Sequence, residues 1–285
     1  MASYRFCRSD DVALLVDAYN ACYRPAFGMQ PIDVVEFKRW IRKYELWTSS
    51  CMVASEGQRL LGVLIAAKRE TESCILAVGV HPDVRHLDHG RHIMTSLSQK
   101  LAILGPSRML CEPPSDQPRV LKFLEHCGYA QEATLTDYRY TGLSATLPSS
   151  MLAEISLEEL DAAELGDDPE EICWGRAGRA IGRRQEYFES VRVLALVGGE
   201  RIEAALILER VEPDAERPLL ALRRHDDVAG RRSAAALLRH VAGESAQPLV
   251  WERVHELECA EEEAIELGFE PLGRYFRMAT EAVPA

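Results

Sequence analysis

No two of the eight cysteines stand as CxxC, and none joins the histidines in a spaced metal-binding cluster. Scattered from Cys7 to Cys259, they exclude a zinc framework. In a chain this long they read as reduced, buried thiols instead of disulfide halves. Basic residues are also short, with 33 Lys and Arg against 45 Asp and Glu, a net charge of −12. Binding to phosphate backbones needs a basic surface, so no nucleic-acid partner is expected; the acidity would instead draw cationic small molecules inward. No apolar run approaches the ~20 residues of a bilayer span. The opening "MASYRFCRSDDVALLV" lacks an apolar stretch followed by a small-residue cleavage site. The expectation is a cytoplasmic protein with no membrane partner and no bound metal.

What is present supports two packed cores. Apolar residues make up 47% of 285 positions, near twice the usual domain length. Helical spacing of Val12, Leu15, Val16 and Tyr19 predicts a first helix, with Ser9 as its cap. "PIDVVEFKRWIRKY" predicts a second, entered through Pro31 and Asp33. Two apolar runs around "EGQR" then read as a hairpin with Gly57 at its turn. The strand "CILAVGV" leads into a helix that Gly105-Pro106 stops, and then come strand, helix and the closing strand "TLTDYRY". After the polar linker "TGLSATLPSS" the order returns. "LALVGGERIEAALIL" answers the first hairpin, "GRRSAAALLRHVAGES" the central helix, and "AIELGFEPLGRYFRM" the segment "FLEHCGYAQEATLTDYRY", each about 140 residues on. The expected architecture is α+β, two tandem domains over 1–142 and 151–285. Each has a mixed, mostly antiparallel sheet flanked by helices.

The stretch "VGVHPDVRHLDHGRHIM" carries the chemistry. A strand that ends in a turn at a helix N-terminus leaves unpaired N–H groups at the positive end of the helix dipole. Such a place suits a pyrophosphate, and glycine at Gly90 lets the backbone approach it. Arg85, His86 and Arg91, with His89 and His92 when protonated, would add positive charge.

This pattern resembles the GNAT superfamily of acyl-CoA-dependent N-acyltransferases. The family's strand, V-x-P and glycine turn stand here as Val80-His81-Pro82 and Arg85 to Gly90, and "FLEHCGY" resembles its late helix. The resemblance covers residues 1 to about 140 well and 150 to 280 more weakly. It implies acetyl-CoA as co-substrate, with the cofactor held by Val78, Gly79, Val80, Arg85, His86, Leu87, Asp88, His89, Gly90 and Arg91. It implies transfer of an acetyl group to a small amine by direct attack. Glu112, at the end of "SRMLCE", is the candidate catalytic base, against an ordinary solvated glutamate, and Glu72 is a weaker candidate. A homodimer is left open.

Three departures keep a second reading alive. Asp88 stands where the family's turn has glycine; Asp tolerates the left-handed geometry of such a turn, but a carboxylate there repels phosphate unless it points outward or caps the helix. Leu124 occupies the position of the family's general-acid tyrosine, and Gln117 that of a frequent asparagine. The second copy reads "ALRRHDDVAGRRSAAALL", with Asp226 and Asp227 at the turn, Gly230 alone, and Ala264 for the tyrosine, as in tandem members with one degenerate half. The alternative is a non-catalytic protein that binds acyl-CoA or a protein partner as a sensor or assembly component. Cys74 and Cys111 read as core residues before nucleophiles. Tyr23, Trp40 and Trp47 read as core before acceptor-pocket residues.

Overall fold

The structure is a computed structural model that describes residues 1–283 apart from 164, 166–172, 200 and 213. The first copy runs β1 (Ser3–Phe6), α1 (Val12–Ala18), a π-helical turn (Tyr19–Tyr23), α2 (Arg24–Phe27), α3 (Val34–Lys43), β2 (Met52–Glu56), β3 (Arg59–Lys68), β4 (Glu72–Val80), α4 (His89–Leu104), β5 (Arg108–Cys111), α5 (Pro118–His126) and β6 (Ala130–Tyr140). The second runs β7 (Leu152–Ile155), α6 (Leu157–Ala162), α7 (Gly178–Phe188), β8 (Val191–Gly198), β9 (Arg201–Glu209), β10 (Arg217–Arg224), α8 (Val228–Gly243), β11 (Leu249–His255), α9 (Glu261–Glu266) and β12 (Phe269–Glu281). The expected α+β class and the repeat are both present. Among the described residues no helix is long and apolar enough to cross a membrane.

Both copies pair their strands in the same way. β1 to β4 are antiparallel neighbours in the order β1-β2-β3-β4, and β4 lies parallel to β5. β7 to β10 repeat the antiparallel run, and β10 lies parallel to β11. Even the irregularities recur. Leu61 and Glu203 are the extra residues of bulges in β3 and β9, and Leu76 and Leu220 those of bulges in β4 and β10. A bulge adds a residue to one strand and twists it locally, and composition does not announce it.

The compact units differ from the copies. One consists of Met1–Glu132 with Phe276–Ala285, the other of Ala133–Tyr275. In the first, Met278 to Glu281 of β12 pair antiparallel with Cys111 to Arg108. In the second, Leu135 to Arg139 of β6 pair antiparallel with β11. Where the sequence predicts boundaries at 142 and 151, each closing strand thus leaves its own copy. The physical reason is that the two copies offer equivalent slots beside β5 and β11. Alternating strands such as "TLTDYRY" and "GRYFRM" suit either slot, so sequence pattern cannot choose.

Local signals explain most elements of the first unit. Asp33 caps α3 by accepting the Glu36 N–H at 2.8 Å, as expected. Ser9 does not cap α1; the helix begins after Asp11, whose carboxylate accepts the Arg8 N–H at 2.8 Å and pairs with Arg5 at 2.7 Å. Gly57, at φ +61°, closes the predicted hairpin. Ile93, Leu97 and Leu101 of α4 are fully buried against Leu64, Met109 and Tyr129, each burial contributing about 1.5–3 kcal/mol. In the second unit Leu237 and Leu238 of α8 pack with Trp251 and Phe269 in the same manner.

Candidate functional site

The first unit opens a groove where β4 and β5 part. Their parallel ladder runs from Glu72–Arg108 to Ile75–Cys111 and ends there. Cys111 leads into Glu112-Pro113-Pro114, and two prolines supply no N–H to continue a ladder. The Pro113 carbonyl instead accepts the Phe276 N–H at 3.0 Å, which keeps this segment on β12. On the other strand Leu76 bulges, one position past the last pair. The backbone of Leu76 to Val80 therefore faces a gap on its β5 side. The gap widens into a groove of about 740 Å³, within the ~300–1,000 Å³ of small-molecule sites.

Val78, Gly79 and Val80 line one side of this groove, and Phe123, Leu124 and Cys127 of the α5 segment the other. Gly79 is required by close approach: a Cβ there would stand 2.7–2.8 Å from the backbone of Cys22 and Tyr23 in the π-helical turn. That turn is held by Asn20, which donates to the Ile32 carbonyl at 2.8 Å and accepts the Ile32 N–H at 3.0 Å. π-Helical turns frequently occur at functional sites, and this one brings Tyr23 to the groove. A Cβ on Gly90 would meet the Phe123 ring and Val80 Cγ2 at 3.3 Å, so glycine lets α4, α5 and β4 converge.

The mouth of the groove is the turn into α4. Asp88 is the residue before the helix, at φ +56° and ψ +10°, and its carboxylate makes no capping hydrogen bond. The first bond of the helix is from the His92 N–H to the Asp88 carbonyl at 3.0 Å. The N–H groups of the first turn, His89 to Arg91, precede it and have no helical acceptor. Asp88 thus holds a left-handed conformation natural to glycine and leaves the helix end open. Arg85 and Arg91 line the mouth on either side of it, and Arg119 and His126 line the groove from α5.

Of the residues singled out from sequence, Val78, Gly79, Val80, Arg85, Asp88, Gly90, Arg91 and Glu112 line the groove together. His86 and Leu87 are exposed outside the groove. His89 turns away: its buried ring places Nδ1 2.6 Å from Tyr4 Oη, and the tilted His92 ring lies against the same tyrosine with centroids 3.9 Å apart. A residue in the first turn of a helix projects at a rotation set by its position, and His89 falls on the β1 side. Tyr23 lines the groove, whereas Trp40 donates to Glu36 at 2.9 Å and packs edge-on against Tyr19, and Trp47 lies half-exposed under Lys68. Glu72 lies 3.8 Å from Arg108 and 3.7 Å from Arg277, at the closed end of the ladder. Leu76, Arg119, Phe123 and His126 are further groove residues that the sequence alone did not mark. The prolines after Glu112 were the available signal that the ladder breaks there.

The thiols near the groove are poor nucleophiles. Burial pushes Cys74 and Cys111 well up, with the neighbouring Glu112 charge adding to the effect, so both stay protonated at neutral pH. Glu112 itself comes directly after the last paired residue of β5 and falls level with Leu76, a carboxylate beside the bulge.

The second unit is closed at the corresponding turn. Asp227, which precedes α8, accepts the Gly230 N–H at 2.6 Å and pairs with Arg201 at 3.2 Å. The hydrogen bond from the Gly230 N–H is the main cause that holds this carboxyl below the usual range. A Cβ on Gly230 would stand 2.2 Å from the His225 carbonyl oxygen. The helix end that lies open in one unit is capped by the chain's own carboxylate in the other.

The acetyltransferase (GNAT) family model matches residues 12–129, the span that contains the groove. Those residues are similar to that family over 118 of the 285 positions. The whole chain has the fold of tandem GNAT proteins. A GCN5-related N-acetyltransferase from Sphaerobacter thermophilus is similar to it with a TM-score of 0.68 and 15% identity, over 100% of this chain and 96% of that one. A tandem GNAT protein from the clavulanic acid biosynthesis pathway gives 0.68 and 14%, over 100% of each chain. A putative acetyltransferase from Pyrococcus horikoshii gives 0.61 and 15%, over 99% and 90%. At such identities the likeness shows the fold. No curated protein matches this sequence.

Proposed function

We propose that the first unit transfers an acetyl group from acetyl-CoA to the amine of a small, cationic acceptor by direct attack. The observation that carries this reading is the meeting, in one groove, of the open β4 edge at Leu76–Val80 and the uncapped N-terminus of α4. The chemistry of the donor set fits acyl-CoA. Backbone groups along Val78 to Val80 suit the amide arm, the first-turn N–H groups of α4 suit a diphosphate, and Arg85, Arg91 and Arg119 suit phosphate charge.

In this reading backbone donors beside the Leu76 bulge polarise the thioester carbonyl. Glu112 attracts the acceptor ammonium and takes its proton, so that the neutral amine attacks the acyl carbon and the thiolate leaves. With Leu124 in place of a tyrosine, the thiolate departs without a proton from that position, which is feasible because thiols are acidic enough to leave as anions. Buried, protonated Cys74 and Cys111 argue against an acyl-enzyme. The unpaired thiols fit a reducing compartment, the cytoplasm.

The reading is tested by melting the protein with and without acetyl-CoA, then by thiol release against a panel of amines. Saturation at 100 times Kd stabilises by about 2.7 kcal/mol, and turnover with a cationic amine completes the case. A melting shift without thiol release for any amine favours the non-catalytic acyl-CoA binder, to which Asp88 and Leu124 point. No shift at millimolar acetyl-CoA contradicts both.

A further inference from the structure

Arg176 lies in the second unit with a 4% exposed side chain, and all five of its N–H donors are used. Nη1 donates to the Leu220 carbonyl at 2.6 Å and Nη2 to the Arg253 carbonyl at 3.0 Å. Nε donates to the Glu252 carbonyl, and the two Nη atoms clasp the Glu258 carboxylate at 2.7 Å each. Leu220 belongs to β10, while Glu252 and Arg253 belong to β11. The parallel ladder between these strands stops at Pro218–Val250, so the guanidinium stands in the gap just beyond it.

That gap is the counterpart of the groove. Leu220 is the bulge residue of β10 as Leu76 is of β4. Counted along the ladders, Leu220 falls level with Glu252, and Leu76 with Glu112, both of which line the open groove. The turn before α8 shows the same closure, with Asp227 on the Gly230 N–H. A cation on the strand edge and a carboxylate on the helix end thus take the two positions that a ligand's amide arm and diphosphate would need.

We propose that the second unit is self-liganded: Arg176 fills, from within the chain, the strand gap that the first unit leaves open. One acyl-CoA then binds per chain, a clause that rests on the function proposed above, and loss of the Arg176 side chain leaves a site for a small planar cation. A buried ion pair is costly to break because the remaining charge is left without a partner. The vacated position keeps three carbonyls and the Glu258 carboxylate, a set that recognises guanidinium and not a compact ammonium.

The experiment is chemical rescue. R176A is expected to melt below the wild type, and millimolar methylguanidinium should raise its Tm by several degrees while leaving or lowering that of the wild type; urea and ammonium should not rescue. R176K keeps the charge without the planar fork and should also melt below the wild type, which decides the matter if R176A does not fold. A rescue no better than ammonium, or R176K as stable as the wild type, overturns the proposal. Calorimetric titration of the wild type with acetyl-CoA should give one site per chain. Two sites overturn the self-liganded unit; none overturns the acyl-CoA reading and leaves the rescue to judge Arg176.

Discussion

Tyr4 Oη and His89 Nδ1 stand 2.6 Å apart, one on β1 and the other in the first turn of α4. This bond takes a histidine out of the basic turn and makes it part of the packing. Replacing Tyr4 by Phe leaves the buried nitrogen without its partner, at a cost of about 1–3 kcal/mol in stability. Urea denaturation measures that cost. The affinity for acetyl-CoA should stay unchanged in Y4F, and a large loss of affinity would place His89 back among the anion ligands.

Asp88 holds a left-handed backbone that costs a non-glycine residue roughly 1–2 kcal/mol, and the residue lines the groove mouth together with Arg85 and Arg91. Asp88→Gly removes both the strain and the charge. Calorimetry should show tighter binding of acetyl-CoA, by about tenfold for ~1.4 kcal/mol of relieved repulsion. An unchanged or weaker Kd would show that the carboxylate points away from the ligand.

Gly79→Ala tests the close approach of β4 to the π-helical turn. The added methyl meets backbone atoms at 2.7–2.8 Å, which cannot rotate aside. Overpacking of this kind costs about 1–3 kcal/mol, and the same shift should displace Tyr23 and weaken acetyl-CoA binding. Full stability in G79A would mean that the turn yields freely.

Arg91→Ala and Arg119→Ala should each weaken acetyl-CoA about tenfold, the loss of one charge-assisted contact of about 1.5 kcal/mol. Both should also flatten the dependence of Kd on ionic strength, since each removes a screened attraction. A variant with the wild-type salt dependence would exclude its arginine from the phosphate contacts.

Thiol titration probes burial. Burial pushes Cys7 and Cys22 up to about 11 and Cys51 and Cys259 to about 12, so the protonated, unreactive form dominates at pH 8. Cys127 alone is only partly buried. Burial raises the Cys127 thiol as well, so Ellman's reagent should react first, though slowly, with that thiol in the native protein and with all eight after denaturation. Prompt reaction of Cys111 would reopen the case for a covalent intermediate.

Local chemistry is legible in the sequence where one residue decides it. Gly57 at the hairpin, Asp33 at its cap and the strand-turn-helix around Gly90 all come from propensity and spacing. Features that neighbouring elements decide are not legible in this way. Asp88 reads equally as a cap or as a left-handed residue until the packing of α4 against Phe123 and Val80 selects one. Leu76 and Leu220 are ordinary apolar strand residues until the register shows them to be bulges. The exchange of closing strands and the reach of Arg176 to β10 and β11 depend on contacts far apart in the chain, which no periodicity encodes.

The central claim is that acetyl-CoA sits along the β4 edge and on the N-terminus of α4, in the first unit alone. Amide hydrogen exchange with and without acetyl-CoA tests it most directly, because the ligand would cover N–H groups that the fold leaves open. New protection is expected over residues 76–80 and 89–91, and none over 220–224 or 228–231. Protection of the second pair of segments, or of neither pair, would contradict the claim.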